Sequence, residues 1–594
     1  MARLIQTHSI LFKTGTCGRA ASTSVPIRLW PRPALDRTWL AWALALALLV
    51  AGKAAAFEPQ PVYARHAMVV TAERHATEVG VDVLRSGGNA VDAAVAVGLA
   101  LAVTEPNAGN LGGGGFMLLR LADGRSTFID FRERAPGSAT RDMYIGQDGN
   151  PTDESLVGYR AAGVPGTVRG LALALNKYGT KTWASMVDPA LRLANDGFEV
   201  TWDLSQSLKS SSRLSRFPES RRIFLNGGSP FRMGDTFRQP DLAATLERLA
   251  RVGPDEFYEG RTARLIAADM AANGGTISGG DLASYAPVER EPVMGTYRGH
   301  EVLSAPPPSS GGAGVIQILN ILEEFDLAAT GAGSATTIHL VAEAMRRFFA
   351  DRARFFGDTD FVDIPLQGML SKAYAAKRRK SIRKDKASPS ATVGDSRPSA
   401  YESDETTHYA VVDAGGNAVA VTYTLNGGYG SGVTAKGTGV LLNNEMDDFT
   451  AKPGSPNTYG LLQSENNAIE PGKRPLSAMS PTIVVRDGAT RLVLGAQGGP
   501  TIITSVTQVL LDVVDFGMNV QQAVDFPRFH HQWMPDRLYM EPSGASADTR
   551  ERLRAFGHVL SFGRRLGHIE AIEVSPEALM GAADSRSEGV AAGY

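Results

Sequence analysis

Cysteine is almost missing from this chain. Of its 594 residues only Cys17 carries a thiol, and it lies within the first 56. A mature protein starting after that stretch has no thiol, which excludes cysteine nucleophiles, thiolate-held metal and disulfides. Excess charge is missing as well. The 60 Lys and Arg nearly cancel the 62 Asp and Glu, leaving a net charge of −2, so no nucleic acid or acidic membrane surface is expected as a partner. No Asn-x-Ser/Thr acceptor with a permitted middle residue occurs, which favours a bacterial periplasm over a glycosylating secretory route. The apolar run at residues 39–51 is only thirteen residues long, short of the ~20 that a membrane-spanning helix needs.

The flanks of that run give it a meaning. Arg3, Lys13, Arg19, Arg28, Arg32 and Arg37 precede it with Asp36 as the only acid, and Ala54-Ala55-Ala56 follows it. A basic start, a short apolar core and a small-residue site predict an export leader over residues 1–56, with Phe57 opening the mature chain in the periplasm or outside the cell. A membrane anchor is the alternative, and its length argues against it. Beyond the leader the composition is that of a globular protein, with 43% hydrophobic and 21% charged residues.

Helical spacing runs over residues 76–103, broken at Gly87-Gly88, with Asn89 ahead of the second half. The glycine run at 112–115 reads as a tight turn feeding a strand at 117–121, with a second strand at 126–131. It lacks the Lys-Ser/Thr ending of a phosphate loop. Residues 337–356 predict a long helix carrying Arg346, Arg347, Arg352 and Arg354. Residues 376–405 break the pattern with a charge run from Lys377 to Lys386 and then Ser, Pro, Ala and Asp. We expect a mobile linker there; a basic patch for nucleic acid or lipid is the less economical alternative.

The pattern then turns to strand. Residues 408–413 and 418–425 read as two strands joined by Asp413-Ala-Gly-Gly-Asn417, a hairpin turn signal. A turn centred on Gly415 pairs positions summing to 830, twice 415, which sets Thr424 opposite Thr406. Strands at 482–485 and 491–494 and helices at 502–514 and 520–524 complete a layered α/β fold, a sheet sandwich covered by helices.

The chemistry centres on Glu405-Thr406-Thr407-His408-Tyr409, where the linker meets a core strand. Threonines that open a strand are usually structural. A threonine at a freshly made N-terminus, however, carries a hydroxyl nucleophile and an α-amine base on one residue. That amine has an ordinary pKa of ~7.7–8.0, whereas in an uncut chain the same nitrogen is an amide and no base. Cleavage before Thr406 would therefore switch activity on.

These features occur in company. In order along the chain stand Gly87-Gly-Asn-Ala-Val-Asp-Ala-Ala94, Gly109-Asn-Leu-Gly-Gly-Gly-Gly-Phe116, Asp130-Phe-Arg-Glu133 and Pro306-Pro-Pro-Ser-Ser-Gly-Gly312. Thr406-Thr-His-Tyr409, Val421-Thr-Tyr-Thr-Leu-Asn426, Leu441-Leu-Asn-Asn-Glu-Met-Asp-Asp-Phe449, Arg474-Pro-Leu-Ser477, Gly498-Gly499 and Pro527-Arg-Phe-His-His531 follow. With this order the chain resembles the γ-glutamyltransferases of the N-terminal-nucleophile hydrolase superfamily, over essentially the whole mature length.

The resemblance implies an αββα sandwich formed by two chains cut from one precursor, residues 57–405 and 406–594, which stay together as a heterodimer. It implies a γ-glutamyl hydrolase or transferase acting on glutathione and related compounds, with water, an amino acid or a dipeptide as acceptor and with no cofactor or metal. Thr406 would attack first the carbonyl of Glu405 and then the substrate. Thr424 would hydrogen-bond near its hydroxyl, and the N–H groups of Gly498 and Gly499 would form the oxyanion hole. Arg132 and Ser477 would hold the α-carboxylate; Asn426, Glu445 and Asp448 would receive the α-ammonium. Tyr459, in the loop 453–464, would close a lid and meet Asn426.

The sequence departs from the family pattern at Ala478 and Ala410, where hydroxyl residues are usual, and at Glu445, where some relatives carry an amide. Plainer readings compete at several positions. Arg132 could be a surface ion pair with Glu133, Asp447-Asp448 a turn or half a metal site, and His530 and His531 are read as structural. Relatives that hydrolyse β-lactam side chains or poly-γ-glutamate tend to lack the lid or alter the ammonium-binding acids. A non-catalytic amino-acid-binding protein would not explain the junction at Glu405-Thr406.

Overall fold

The computed structural model describes residues 58–393, 406–563 and 565–594. The leader, Phe57 and Glu405 lie outside these residues. Two seven-stranded sheets face each other within residues 59–594. The first runs Val62–Ala64, Leu579–Ala583, His568–Val574, Ala489–Gln497, Thr482–Arg486, His300–Ser304, Val293–Tyr297; the second runs Val590–Gly593, Met68–Thr71, Thr407–Val412, Ala418–Thr424, Gly114–Arg120, Ser126–Asp130, Val288–Arg290. Every neighbouring pair is antiparallel.

The period of two along the second sheet decides which core each side chain joins. Ala410, Val412, Ala418 and Ala420 enter the core shared with the first sheet and the helices Gly311–Leu322, Ala335–Phe355 and Thr501–Val514. Tyr409, Val411, Val419 and Val421 enter a second core against the helices Arg74–Arg85, Ala90–Thr104 and Thr167–Tyr178. Both faces of these strands are buried. The expected layered α/β fold is thus an αββα stack.

Local chemistry fixes the joints. Gly87 takes φ 80° and ends the first helix; Asn89 then caps the N–H groups of Val91 and Asp92, while Asp92 Oδ2 accepts from Asn89 N at 2.8 Å. The hairpin pairs Thr407 with Tyr423 and Val412 with Ala418, the register that a turn centred on Gly415 demands.

Two expectations need correction. The glycines at 112–115 are not a tight turn: none takes a positive φ, and Gly114 and Gly115 already belong to a strand. Glycine is needed there because chains pass too close for a side chain. A Cβ on Gly112 would lie 2.0 Å from the Leu441 carbonyl, and one on Gly113 2.1 Å from that of Thr424. Residues 376–393, read as part of a mobile linker, are packed instead. Lys372–Arg379 is helical, Arg378 reaches Asp351 at 3.1 Å, Ser388 N donates to Glu343 at 3.0 Å, and Ser390 N donates to Asp536 at 2.7 Å. Their partners lie far off in sequence, so the charge run looked unattached. Residues 394–405 lie outside the description.

The strands from before and after residue 405 interleave. They pair across that boundary at five places, 62–64 with 579–583, 68–71 with both 407–412 and 590–593, 114–120 with 418–424, and 300–304 with 482–486. Backbone ladders and two shared cores therefore hold the two portions together without a disulfide.

Candidate active site

Thr406 immediately precedes the strand Thr407–Val412, the neighbour of the central strand Ala418–Thr424 in the second sheet, and is buried. Continuing the hairpin register by one step sets it opposite Thr424. The next residue is anchored, with Thr407 Oγ1 donating to Glu105 Oε2 at 2.8 Å. Beyond Thr424 the strand ends in a strained turn. Asn426 takes φ 75°, its N–H donates to Thr424 Oγ1 at 2.9 Å, and its Nδ2 donates to the Asn444 carbonyl at 2.9 Å.

Thr406, Thr424, Asn426, Arg132, Glu445, Asp448, Ser477, Tyr459 and Gly499 line one small cavity, together with Arg352, Ala478 and Met479. Its volume is about 20 Å³, room for roughly one water. Tyr459 roofs it, its hydroxyl donating to the Asn426 carbonyl at 2.8 Å. The roof is tied down by acids at its base: Thr458 N donates to Asp447 Oδ2 at 2.9 Å, and Asn457 Nδ2 donates to Asp448 Oδ1 at 3.1 Å. Asp447, which sequence reasoning did not single out as a site residue, thus holds the loop that carries Tyr459; burial raises its carboxyl to a pKa of about 6.

Arg132 is not a surface residue. Its guanidinium is buried and pinned by Nε donating to the Pro475 carbonyl at 3.2 Å. Nη2 donates to Asp448 Oδ2 at 2.5 Å, Nη1 donates to Glu445 Oε1, and Glu133 Oε2 lies 3.6 Å away. Burial works against this charge, but the three carboxylates more than offset it and raise the Arg132 pKa. Burial also pushes the carboxyls of Glu133 and Glu445 upward, with Arg132 opposing. Among the described residues, both oxygens of Glu133 and Oε2 of Glu445 lack a hydrogen-bond partner.

Ser477 is fixed by its backbone, its N–H donating to the Pro308 carbonyl at 2.9 Å and its carbonyl accepting from Ser310 N and Oγ at 2.9 and 2.8 Å. Its Oγ accepts from Met479 N at 3.1 Å, which leaves the hydroxyl proton available to donate. Gly498 and Gly499 connect the strand Ala489–Gln497 to the helix Thr501–Val514, at φ 124° and 54°. Only glycine adopts both easily, and the helix dipole favours negative charge at this end. Gly499 faces the cavity; Gly498 lines a wide groove of about 920 Å³ on the other side, with Glu105, Gln497, Arg565 and Arg586.

His530 and His531 lie elsewhere. Both are buried with pKa values lowered by burial to about 4, and they bond to Thr504, Gln532 and Trp533. Among the described residues no group of three or more His, Cys, Asp or Glu could hold a metal ion, and no helix is long and apolar enough to cross a membrane.

With this geometry in hand, comparison with known proteins decides the family. The model for gamma-glutamyltranspeptidase matches residues 76–594. The chain belongs to the gamma-glutamyltranspeptidase family. The glutathione hydrolase proenzyme of Escherichia coli (strain K12) is 52% identical over 539 residues, 90% of this chain and 93% of its own. The crystal structure of cephalosporin acylase from Bacillus halodurans matches with a TM-score of 0.79 at 27% identity, over 91% of this chain and 98% of that one. That of Helicobacter pylori gamma-glutamyltranspeptidase matches with a TM-score of 0.53 at 45% identity, over 55% of this chain but 96% of its own. For this member of the gamma-glutamyltranspeptidase family the stacked sheets are the N-terminal-nucleophile hydrolase sandwich.

Proposed function

We propose that the chain is an exported precursor that cuts itself between Glu405 and Thr406 and then removes γ-glutamyl groups from glutathione and related compounds. In maturation the Thr406 hydroxyl attacks the Glu405 carbonyl, the peptide C–N bond breaks and frees the α-amine, and water hydrolyses the resulting ester, restoring the hydroxyl and releasing Glu405 as a carboxylate. In turnover that amine takes the hydroxyl proton as Thr406 attacks the γ-carbonyl and returns it to the leaving amine. Water, an amino acid or a dipeptide then takes the acyl group. The N–H groups of Gly498 and Gly499 meet the negative charge on the carbonyl oxygen.

The observation that carries this reading is the sharing of one small cavity by Thr406, Arg132, Glu445 and Asp448. A γ-glutamyl zwitterion suits it chemically. Its carboxylate, with Ser477, replaces the acids on Arg132, while its ammonium takes over Glu445, Asp448 and Asn426, so the charges of Arg132, Glu445 and Asp448 each keep a partner. The small cavity beneath Tyr459, with the acids Glu445 and Asp448 on its wall, favours a compact zwitterion. The groove beside Gly498 gives the amine half of the substrate room. The Helicobacter pylori chain, matched nearly in full yet covering 55% of this one, is about what a chain ending at residue 405 would cover. The test is a steady-state assay of purified protein with glutathione, with and without a dipeptide. Release of glutamate, or its transfer to the dipeptide, is expected; neither product from processed protein contradicts the reading.

A further inference from the structure

A second guanidinium lines the cavity. Arg352 lies in the helix Ala335–Phe355 and is 2% exposed. Among the described residues its guanidinium makes one hydrogen bond, Nε donating to Ser310 Oγ at 2.9 Å; that hydroxyl donates in turn to the Ser477 carbonyl at 2.8 Å. Its Nη1 is buried without a partner, and among the described residues no carboxylate lies within ion-pair distance. The neighbouring arginines differ. Arg347 donates to Glu343 Oε2 at 2.7 Å, and Arg346 is paired with Glu343 and Asp536. Arg352 alone on this helix is buried against the cavity with its fork unused.

A guanidinium has five N–H donors, and burying them unmet costs free energy that a well-packed core would not accept without return. Burial lowers the Arg352 pKa to about 10, with Asp448 opposing, so the group stays cationic at neutral pH. The cavity needs such a charge. Glu133, Glu445 and Asp448 crowd around Arg132, and with one cation against three acids an arriving carboxylate would be repelled. The residue after Ser477 is Ala478, which lines the cavity without adding a hydroxyl donor.

We propose that Arg352 is a substrate-binding residue, a second guanidinium that holds the α-carboxylate together with Arg132 and leaves the α-ammonium to Glu445 and Asp448. This rests on the γ-glutamyl reading above.

The test compares γ-glutamyl-p-nitroanilide with its α-carboxamide analogue on processed protein, taking the ratio of kcat/KM as the carboxylate preference. Arg352→Gln should lower that preference about 10- to 100-fold, mainly through KM, as expected for one lost charged hydrogen-bonding group. Arg352→Lys should recover much of it. Ser310→Ala, which removes the link to Ser477 but keeps the charge, should leave the preference within a few-fold. In Arg132→Ala the remaining preference should still be about tenfold, and this arm decides the matter if Arg352→Gln does not fold. Equal losses on both substrates, a Ser310→Ala effect matching Arg352→Gln, or no residual preference in Arg132→Ala would overturn the assignment. A wild-type protein inactive on both substrates would instead sink the γ-glutamyl reading itself.

Discussion

The cavity under Tyr459 and the groove beside Gln497 meet at the Gly498–Gly499 turn but are built on different terms. The cavity holds about 20 Å³, and its charges are buried, with Arg132 paired to Glu445 and Asp448. The groove holds about 920 Å³ and mixes Arg74, His75, Arg565 and Arg586 with Glu105, Glu199 and Glu588. Trp202 and Met233 stand in it 55% and 62% exposed. Buried charges discriminate because an unmatched ligand leaves one of them desolvated and alone; charges in an open groove act through water and are worth little. The enzyme should therefore be strict about the acyl group and tolerant of the amine, and each prediction below presses on that contrast.

The largest effects should come from the paired charges. Arg132→Ala should penalise substrates with a free α-carboxylate and Asp448→Asn those with a free α-ammonium, each by about 2–5 kcal/mol in kcat/KM. A des-amino substrate that loses as much from Asp448→Asn would contradict the assignment. Gly499→Ala should come next. Its Cβ would sit 2.7 Å from the Tyr459 ring at φ 54°, which displaces the N–H rather than deleting it. A loss of about 10²–10³ in kcat, with little change in the Kd of a non-reacting γ-glutamyl analogue, is the expected outcome.

Glu133 sharpens the contrast through pH. Burial holds its folded carboxyl above the ordinary range, Arg132 opposing, so the folded state binds its proton more tightly than the unfolded state. The stability it contributes is full below the unfolded pKa of about 4.3 and is lost as pH rises through the folded value. Glu133→Gln removes that loss. The stability difference, variant minus parent, should widen from about pH 4.3 upward and level off at about 1–3 kcal/mol; thermal melts showing it shrink with rising pH would contradict this. The smallest effect belongs to the groove. Trp202→Ala should change the relative use of different amine acceptors by less than about 1 kcal/mol and leave acyl selectivity unchanged, as paired acceptor assays would reveal.

What the sequence made legible was local. The hairpin register followed from one turn, and with it the pairing of Thr407 and Tyr423. The break at Gly87 and the cap at Asn89 followed from helix-end chemistry. The residues lining the cavity were named through family resemblance, because nothing in spacing alone brings Arg132 to Asp448. Groups whose meaning depends on distant neighbours were missed or misread. Arg352 looked like one more arginine on a long helix, and the bond through Ser310 to Ser477 that sets it apart joins three remote segments. Glu133 looked like a surface partner until burial placed it in the cluster. The glycines at 112–115 signalled a turn, whereas close passage of the Leu441 and Thr424 carbonyls is what requires them.

The central claim is that Thr406 becomes a nucleophile with its own amine by cutting the chain in front of it. The direct measurement is the intact mass and N-terminal sequence of purified wild-type protein and of Thr406→Ala. The wild type should separate under denaturing conditions into chains of 349 residues (57 to 405) and 189 residues (406 to 594), the second starting at Thr406, while Thr406→Ala should stay whole and inactive. A fully active wild-type protein that remains one uncut polypeptide would contradict the account.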